Sequence, residues 1–466
     1  MFMKAPIEWG DIQAFEEDFD ARPAGRVAMN AAVKNGIHAS AENYKLPAEN
    51  LHAFSVDVES GECCDQEHSG RCWMFASLNV MRTEIMKKLN LKNMELSQAY
   101  PLFWDKLEKS NYFLENILLT LDKPLAGREV AYLLQDPVGD GGQWDMFRSL
   151  VYKYGVVPKD IYPESQASSH TDELHRYITL KLREYACRLR RMAGADSEGG
   201  KNQGLDRKPT EEELAPLRKE KEKMLATIYR MLCIALGKPP KKFTWKTKDK
   251  DNKFIAVRDI TPRDFFAQYV GWNLDEYVTC INAPTADKPY GKPYTVEYLG
   301  NIKDGRYPVK YLNLPVDELK RLAKEQLKDG KIVWFGCDVS QFSNEKKGYL
   351  CLDAYDVAGL FDTDFPMDKA ARLDYGESLM THAMALTGVD LDEEGRPLRW
   401  KVENSWGKKD AFEGYLTMSD AWFSEYVYQI LLERKYLTAE EQKQYDQEPI
   451  LLKAWDPMGS LARKEG

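Results

Sequence analysis

Residues 65–82 read DQEHSGRCWMFASLNVMR, and this stretch bears on both the fold class and the chemistry. A Ser69-Gly70 pair stands ahead of Cys72, and apolar residues then recur at Met74, Leu78, Met81 and Ile85. Those steps predict an amphipathic helix that opens at Cys72. Unpaired N–H groups and the positive dipole end at a helix N-terminus favour a thiolate over a thiol. Gln66 lies upstream, and its side-chain amide is able to donate to an oxyanion formed at that sulfur, a contact worth about 3 kcal/mol. A lone cysteine on an apolar helix is ordinarily a buried core thiol. Gln66, the Ser-Gly pair and Trp73 set Cys72 apart as a candidate nucleophile.

A thiolate nucleophile needs a base, and the chain has six histidines. His38 and His52 fall in a polar N-terminal region, and His170 and His175 in a charged helical stretch where surface positions are expected. His68 is near Cys72 in sequence but has no evident orienting partner. His382 lies in the strand-like run SLMTHAMALTGVD (378–390), and Asn404 follows in RWKVENSWGKK (399–409). Two neighbouring strands would bring the Asn404 amide to the His382 imidazole and fix its tautomer. Trp406, on the same strand face as Asn404 by the two-residue period, would cover that bond from water.

The whole chain is compatible with such an enzyme. Its 466 residues are 43% hydrophobic and 12% aromatic, too rich for disorder. The net charge of −9 repels nucleic acid and anionic membrane on average, so a nucleic-acid-binding ring is disfavoured. No apolar run is long enough to span a bilayer, and polar residues soon follow Met1 where a secretory leader would need an apolar stretch. Eight scattered cysteines without a C-x-x-C pair point to reduced thiols, a cytoplasmic location and no zinc site.

Composition divides the chain into an N-terminal arm (1–60), a helical lobe with Cys72 (61–164), a charged helical insertion (165–255), a β-rich lobe with His382 and Asn404 (256–440) and a C-terminal arm (441–466). The lysine run from Lys238 to Lys253 reads as a solvated loop. Helices early and strands late give an α+β class with two lobes meeting at a cleft.

Four blocks now carry a resemblance: DQEHSGRCWMFASLNVMR, DGGQWDMF (140–147), THAMALTGV (381–389) and VENSWG (402–407). The chain resembles the papain superfamily of cysteine peptidases. KIVWFGCDV (331–339) and AWDPMGSLA (454–462) narrow the likeness to the bleomycin hydrolase/aminopeptidase C family. The resemblance implies a papain-like fold, a helical lobe and a β-barrel-like lobe with a cleft between. It implies Cys72 as nucleophile, His382 as base and then acid, Asn404 as its orienter and Gln66 as oxyanion donor. Gly141 and Gly142 would line the cleft, where missing side chains let a peptide backbone approach. Neither metal nor organic cofactor is implied. The expected activity is aminopeptidase action on peptides by a homohexamer whose insertion helps assemble the ring. The family's C-terminal arm would enter the cleft near Ala462 and restrict cleavage to N-terminal residues. Here Arg463-Lys464-Glu465-Gly466 follow. That departure keeps an endopeptidase as the alternative and raises self-trimming near Ala462.

Overall fold

The computed structural model describes residues 6–46, 51–196, 202–303, 306–409 and 411–462. The expectation of trimming concerns residues 463–466, which lie outside the described residues. Two N-terminal helices, α1 (Trp9–Asp20) and α2 (Pro23–Asn35), bury no side chain. A short α3 (Ile37–Ala41) then joins the body, where the Asp356 N–H donates to Ala41 O and Arg22 meets Asp362.

The helical part is built on α4 (Cys72–Leu89) and α5 (Ala99–Leu119), with α6 (Arg128–Gln135) and α7 (Trp144–Tyr154) alongside. The amphipathic helix expected at Cys72 forms, but it has no solvent face along most of its length. Every residue from Cys72 to Thr83 is buried, including Ser77, Asn79 and Arg82. The apolar period marks only part of what is buried; Asn79 and Arg82 meet Glu403, a partner that sequence spacing does not reveal. Asn90 ends α4 in the left-handed conformation, a usual helix stop. Two long charged helices, α8 (Asp172–Met192) and α9 (Glu211–Leu236), pack on α5 through leucine and isoleucine stripes.

Between helices and main sheet lies a hairpin of β2 (Phe243–Lys248) and β3 (Phe254–Ile260); β1 (Val56–Asp57) precedes them in the chain. The lysine run expected as a solvated loop is therefore partly a strand: Phe243 and Trp245 are buried while Thr244 and Lys246 face water. The alternation of β2 is short and flanked by lysines, which hid it. β3 runs across residue 255, so the hairpin straddles that position.

The remaining strands form one sheet with β1 attached to β10. They are β4 (Tyr277–Ile281), β5 (Lys292–Val296), β6 (Tyr311–Asn313), β7 (Val333–Cys337), β8 (Ser343–Asn344), β9 (Tyr349–Leu350), β10 (His382–Leu391), β11 (Pro397–Glu403), β12 (Tyr415–Ser419), β13 (Val427–Glu433) and β14 (Ile450–Leu452). Their order is β14-β5-β6-β4-β13-β7-β10-β11-β12-β9-β8. β10 is central, antiparallel to β7 on one side and β11 on the other, with His382 opposite Cys337 and Ala385 opposite Glu403.

One continuous apolar core runs from α4 into this sheet. Trp334 of β7 is wholly buried there, and its indole N–H donates to the carbonyl of Trp73 at 3.3 Å. That contact seats the first turn of α4 on the sheet. Replacing Trp334 by Ala is expected to cost about 3–5 kcal/mol of unfolding free energy, measured by urea denaturation. A loss below about 1 kcal/mol would mean the helix is seated by something else.

Candidate active site

The turn before α4 is held by its own short bonds. Gln66 Nε2 donates to Ser69 O and Ser69 Oγ donates to Gln66 O, both at 2.6 Å. Arg71 is wholly buried, with its guanidinium donating to Ser69 Oγ and to Glu164. Cys72 follows as the first helical residue and is 4% exposed. Burial pushes its thiol up to about 11, while backbone N–H groups of Ala383 and Trp73 pull the other way. Ala383 is the residue after His382, so the sulfur sits against the β10 strand end.

His382 is buried at the start of β10. Its Nε2 lies 2.9 Å from Asn404 Oδ1, the bond expected from two adjacent strands. Asn404 Oδ1 also accepts the Ser405 N–H at 2.8 Å, which fixes the amide with its oxygen toward the imidazole. The oxygen can only accept, so Nε2 carries hydrogen and Nδ1 is left as the basic nitrogen. Burial takes the imidazole down to about 4, and the Asn404 bond acts in the opposite direction. The Trp406 ring lies 4.6 Å from the His382 ring and covers it.

Ser405 was not legible as a site residue, yet its hydroxyl donates to Gln66 Oε1 at 2.7 Å. With the Gln66 N–H on Ser405 O at 2.8 Å, this ties the turn before Cys72 to the strand end after Asn404. The Gln66 carboxamide is thereby oriented, with one amide hydrogen committed to Ser69 O.

Asp140 was also missed. It is caged by Gly70 N–H at 2.9 Å, Thr171 Oγ1 at 2.5 Å, Lys106 Nζ at 3.0 Å and His175 Nε2 at 2.7 Å. Burial opposes its charge, but Lys106 and His175 more than offset this and hold the carboxyl well below its ordinary range. The surface position expected for His175 is not what the structure has. Its side chain is 17% exposed and faces the cleft, because α8 docks with its Thr171–His175 face toward the Gly139–Gly141 turn. The charge pattern of α8 marks it as a surface helix but does not say which edge meets the turn.

Cys72, His382, Gln66, Asp140, Gly141 and Leu461 line one cleft of about 900 Å³, whose far wall is α8 with His175, Arg176 and Thr179. The C-terminal segment Pro457–Ala462 enters it: a methyl group on Gly141 would meet Leu461 O at 2.2 Å. Ala462 borders a neighbouring cavity of about 440 Å³, lined by Tyr112, Tyr132, Tyr298 and Trp455. Gly141 thus makes room for the arm of the chain itself. Gly142 departs from expectation: it is buried, and a methyl group there would meet the Trp73 ring at 2.5 Å, so it admits an indole and not a substrate. Trp406 covers the imidazole and is not among the residues lining the cleft.

Among the described residues no helix is long and apolar enough to cross a membrane. The model of the Peptidase C1-like family matches residues 7–459. Aminopeptidase C of Streptococcus thermophilus is 48% identical over 449 residues, covering 96% of this chain and 97% of that protein. Human bleomycin hydrolase is 41% identical over 422 residues, 89% of each chain. The crystal structure of PepW from Lactobacillus rhamnosis is 49% identical and superposes with a TM-score of 0.92, covering 98% of this chain and all of that one. The chain therefore belongs to the Peptidase C1-like family, and it is a papain-like cysteine peptidase of the aminopeptidase C/bleomycin hydrolase type.

Proposed function

We propose that the aminopeptidase reaction runs through Cys72 as nucleophile, His382 as base and then acid, Asn404 as the orienter of His382, and Gln66 as oxyanion donor. The observation that carries this reading is the bond from Asn404 to His382, with Cys72 and Gln66 in the same cleft. His382 takes the thiol proton as the sulfur attacks the scissile carbonyl carbon. The tetrahedral oxyanion is met by the Cys72 N–H and the second amide hydrogen of Gln66. His382 returns its proton to the leaving amine, and a thioester to the N-terminal residue remains. Water, deprotonated by His382, attacks the thioester and restores the thiol.

Burial opposes a charge on either reacting group alone, so the two are charged together or not at all. One proton shared by sulfur and nitrogen is the competent state, and the two titrations belong to the pair. A second proton is gained as pH falls through the His382 value of about 4. The shared proton is lost as pH rises through the Cys72 value of about 11.

The arm supports N-terminal cleavage. Ser460 Oγ donates to Met380 O at 2.8 Å and Tyr311 donates to Met458 O at 3.3 Å, holding the segment across the Gly141 side of the cleft. On this reading the arm shortens the cleft on that side, so that the N-terminal end of a peptide is what reaches Cys72. Endopeptidase action would require this arm to leave.

We also propose a cytoplasmic homohexamer. Eight free cysteines support a reducing compartment. Self-association is supported by α1 and α2, where Trp9, Phe15, Val27 and Val33 are each more than 60% exposed, an apolar surface suited to a second copy. The arm, helical lobe, insertion, β-rich lobe and C-terminal arm are proposed as units of the protomer.

Three outcomes test this. Asn404→Ala is expected to lower kcat/KM about 10²-fold. Because the Asn404 bond raises the His382 value, the acid limb of the pH profile should also move to lower pH; an unmoved limb would detach Asn404 from the titrating base. The full chain should cleave a free-amine fluorogenic peptide and leave its acetylated form intact, whereas a chain lacking residues 457–466 should cleave both. Light scattering should give a six-protomer mass that falls when residues 1–41 are removed.

A further inference from the structure

Three consecutive residues at the end of β11 reach three separate parts of the site. Glu403 meets Arg82 of α4, Asn404 meets His382, and Ser405 meets Gln66. The first of these contacts lies outside the cleft and takes no part in the chemistry above. Arg82 Nη2 lies 2.6 Å from Glu403 Oε1, which also accepts from Asn79 Nδ2 at 2.8 Å. The same guanidinium donates to Glu62 O at 2.8 Å and approaches Cys64 Sγ and Met94 O at 3.4 Å. Cys64 Sγ in turn donates to Asn79 Oδ1 at 3.2 Å.

Both charged side chains are 1% exposed or less. Of the other buried pairs among the described residues, Lys106–Asp140, Lys109–Asp105, Arg148–Asp145 and Arg190–Asp196 lie within the helical half of the molecule, and Lys288–Asp456 ties the β-rich half to the C-terminal segment. Arg82–Glu403 instead joins the helix of Cys72 to the strand that ends beside Asn404. Burial works against the Arg82 charge, and Glu403 together with Cys64, Tyr415 and Glu95 more than offsets it, whereas burial pushes the Glu403 carboxyl up against the pull of Arg82. Two ions taken out of water in this way are weak evidence for stability, since well-packed apolar residues often serve as well. A need for stability alone does not account for the pair.

Its placement does. Arg82 is about 15 Å along the same rigid helix from Cys72. Glu403 is covalently joined to Asn404, whose oxygen holds the His382 ring. A charge-assisted hydrogen bond is short and directional, while apolar side chains tolerate sliding and repacking. We infer that Arg82 and Glu403 are positioning residues, whose buried ion pair fixes the register of α4 against β11 and so the approach of Cys72 to the Asn404-held His382. The inference rests on the roles given above to Cys72, His382 and Asn404.

A misplacement of about 1 Å between reacting groups costs about 10²-fold in rate, which is the size of effect to look for. The test is the double variant Arg82→Met/Glu403→Leu, read by thermal midpoint, by kcat and KM on a free-amine fluorogenic peptide, and by the pH dependence of Cys72 alkylation with iodoacetamide. The expected result is a folded protein with parental KM, kcat lower by about 10²-fold and an acid limb displaced to lower pH. A folded double variant with parental kcat and acid limb overturns the inference. If that variant does not fold, Arg82→Lys decides: it keeps the charge but loses the fork, and a fall in kcat at parental KM supports positioning while parental kcat overturns it. A Cys72→Ala variant with full turnover would instead remove the underlying assignment, so the two failures are told apart.

Discussion

The constraint on which the site depends is the burial of α4 on all its faces. A helix enclosed by the sheet on one side and by other helices elsewhere has nowhere to move without opening a close-packed core. Its polar residues must then find partners inside, and they do: Ser77 on Trp73 O, Asn79 and Arg82 on Glu403, Thr83 on Val80 O. Cys72 is the first residue of that helix and inherits its immobility. The sulfur therefore has a fixed address relative to β10, and the backbone N–H of Ala383 lies against it.

The imidazole is fixed by equivalent means. β10 is flanked on both sides by hydrogen-bonded strands, and His382 is its first residue. Asn404 and Trp406, from the end of β11, orient and cover the ring. Both the sulfur and the imidazole are thus mounted on rigid elements, the arrangement that holds two side chains in a fixed geometry. The low-polarity surroundings that penalise a lone charge also strengthen the attraction between a thiolate and an imidazolium formed together. Asp140 lies close enough to disfavour the thiolate, and Lys106 beside it counters that charge.

The walls of the cleft come from other segments of the chain. The C-terminal arm closes the Gly141 side, and α8 of the charged helical stretch forms the opposite wall with His175, Arg176 and Thr179. Cys72 and His382 are carried by α4 and β10, apart from these walls, and the Asp140 cage links the two regions, since it binds both Gly70 near Cys72 and Thr171 at the start of α8.

Much of this was legible in the sequence. The segment around Cys72 announces a helix by its period, and a helix N-terminus has an electrostatic consequence wherever it lies. His382 and Asn404 sit in strand-like runs whose two-residue period indicates which side chains share a face. Such local rules suffice to name Cys72, His382 and Asn404, and the structure has Cys72 and His382 in one cleft with Asn404 bonded to His382. Roles that depend on docking are not legible in the sequence: Ser405 meets Gln66 from 339 residues away, Asp140 and His175 meet each other and their partners only when separate elements pack, and Gly142 faces Trp73 of another element. The lysine-flanked strand β2 was hidden for a related reason, since Phe243 and Trp245 register as a buried face only against the core they cover. Local spacing singles out Cys72, His382, Asn404 and Gln66 as candidates, because backbone periodicity and side-chain reactivity are local properties. Only the folded chain shows the α8 wall of the cleft, the Asp140 cage and the ion pair between α4 and β11, because each is a meeting of surfaces that no local spacing encodes.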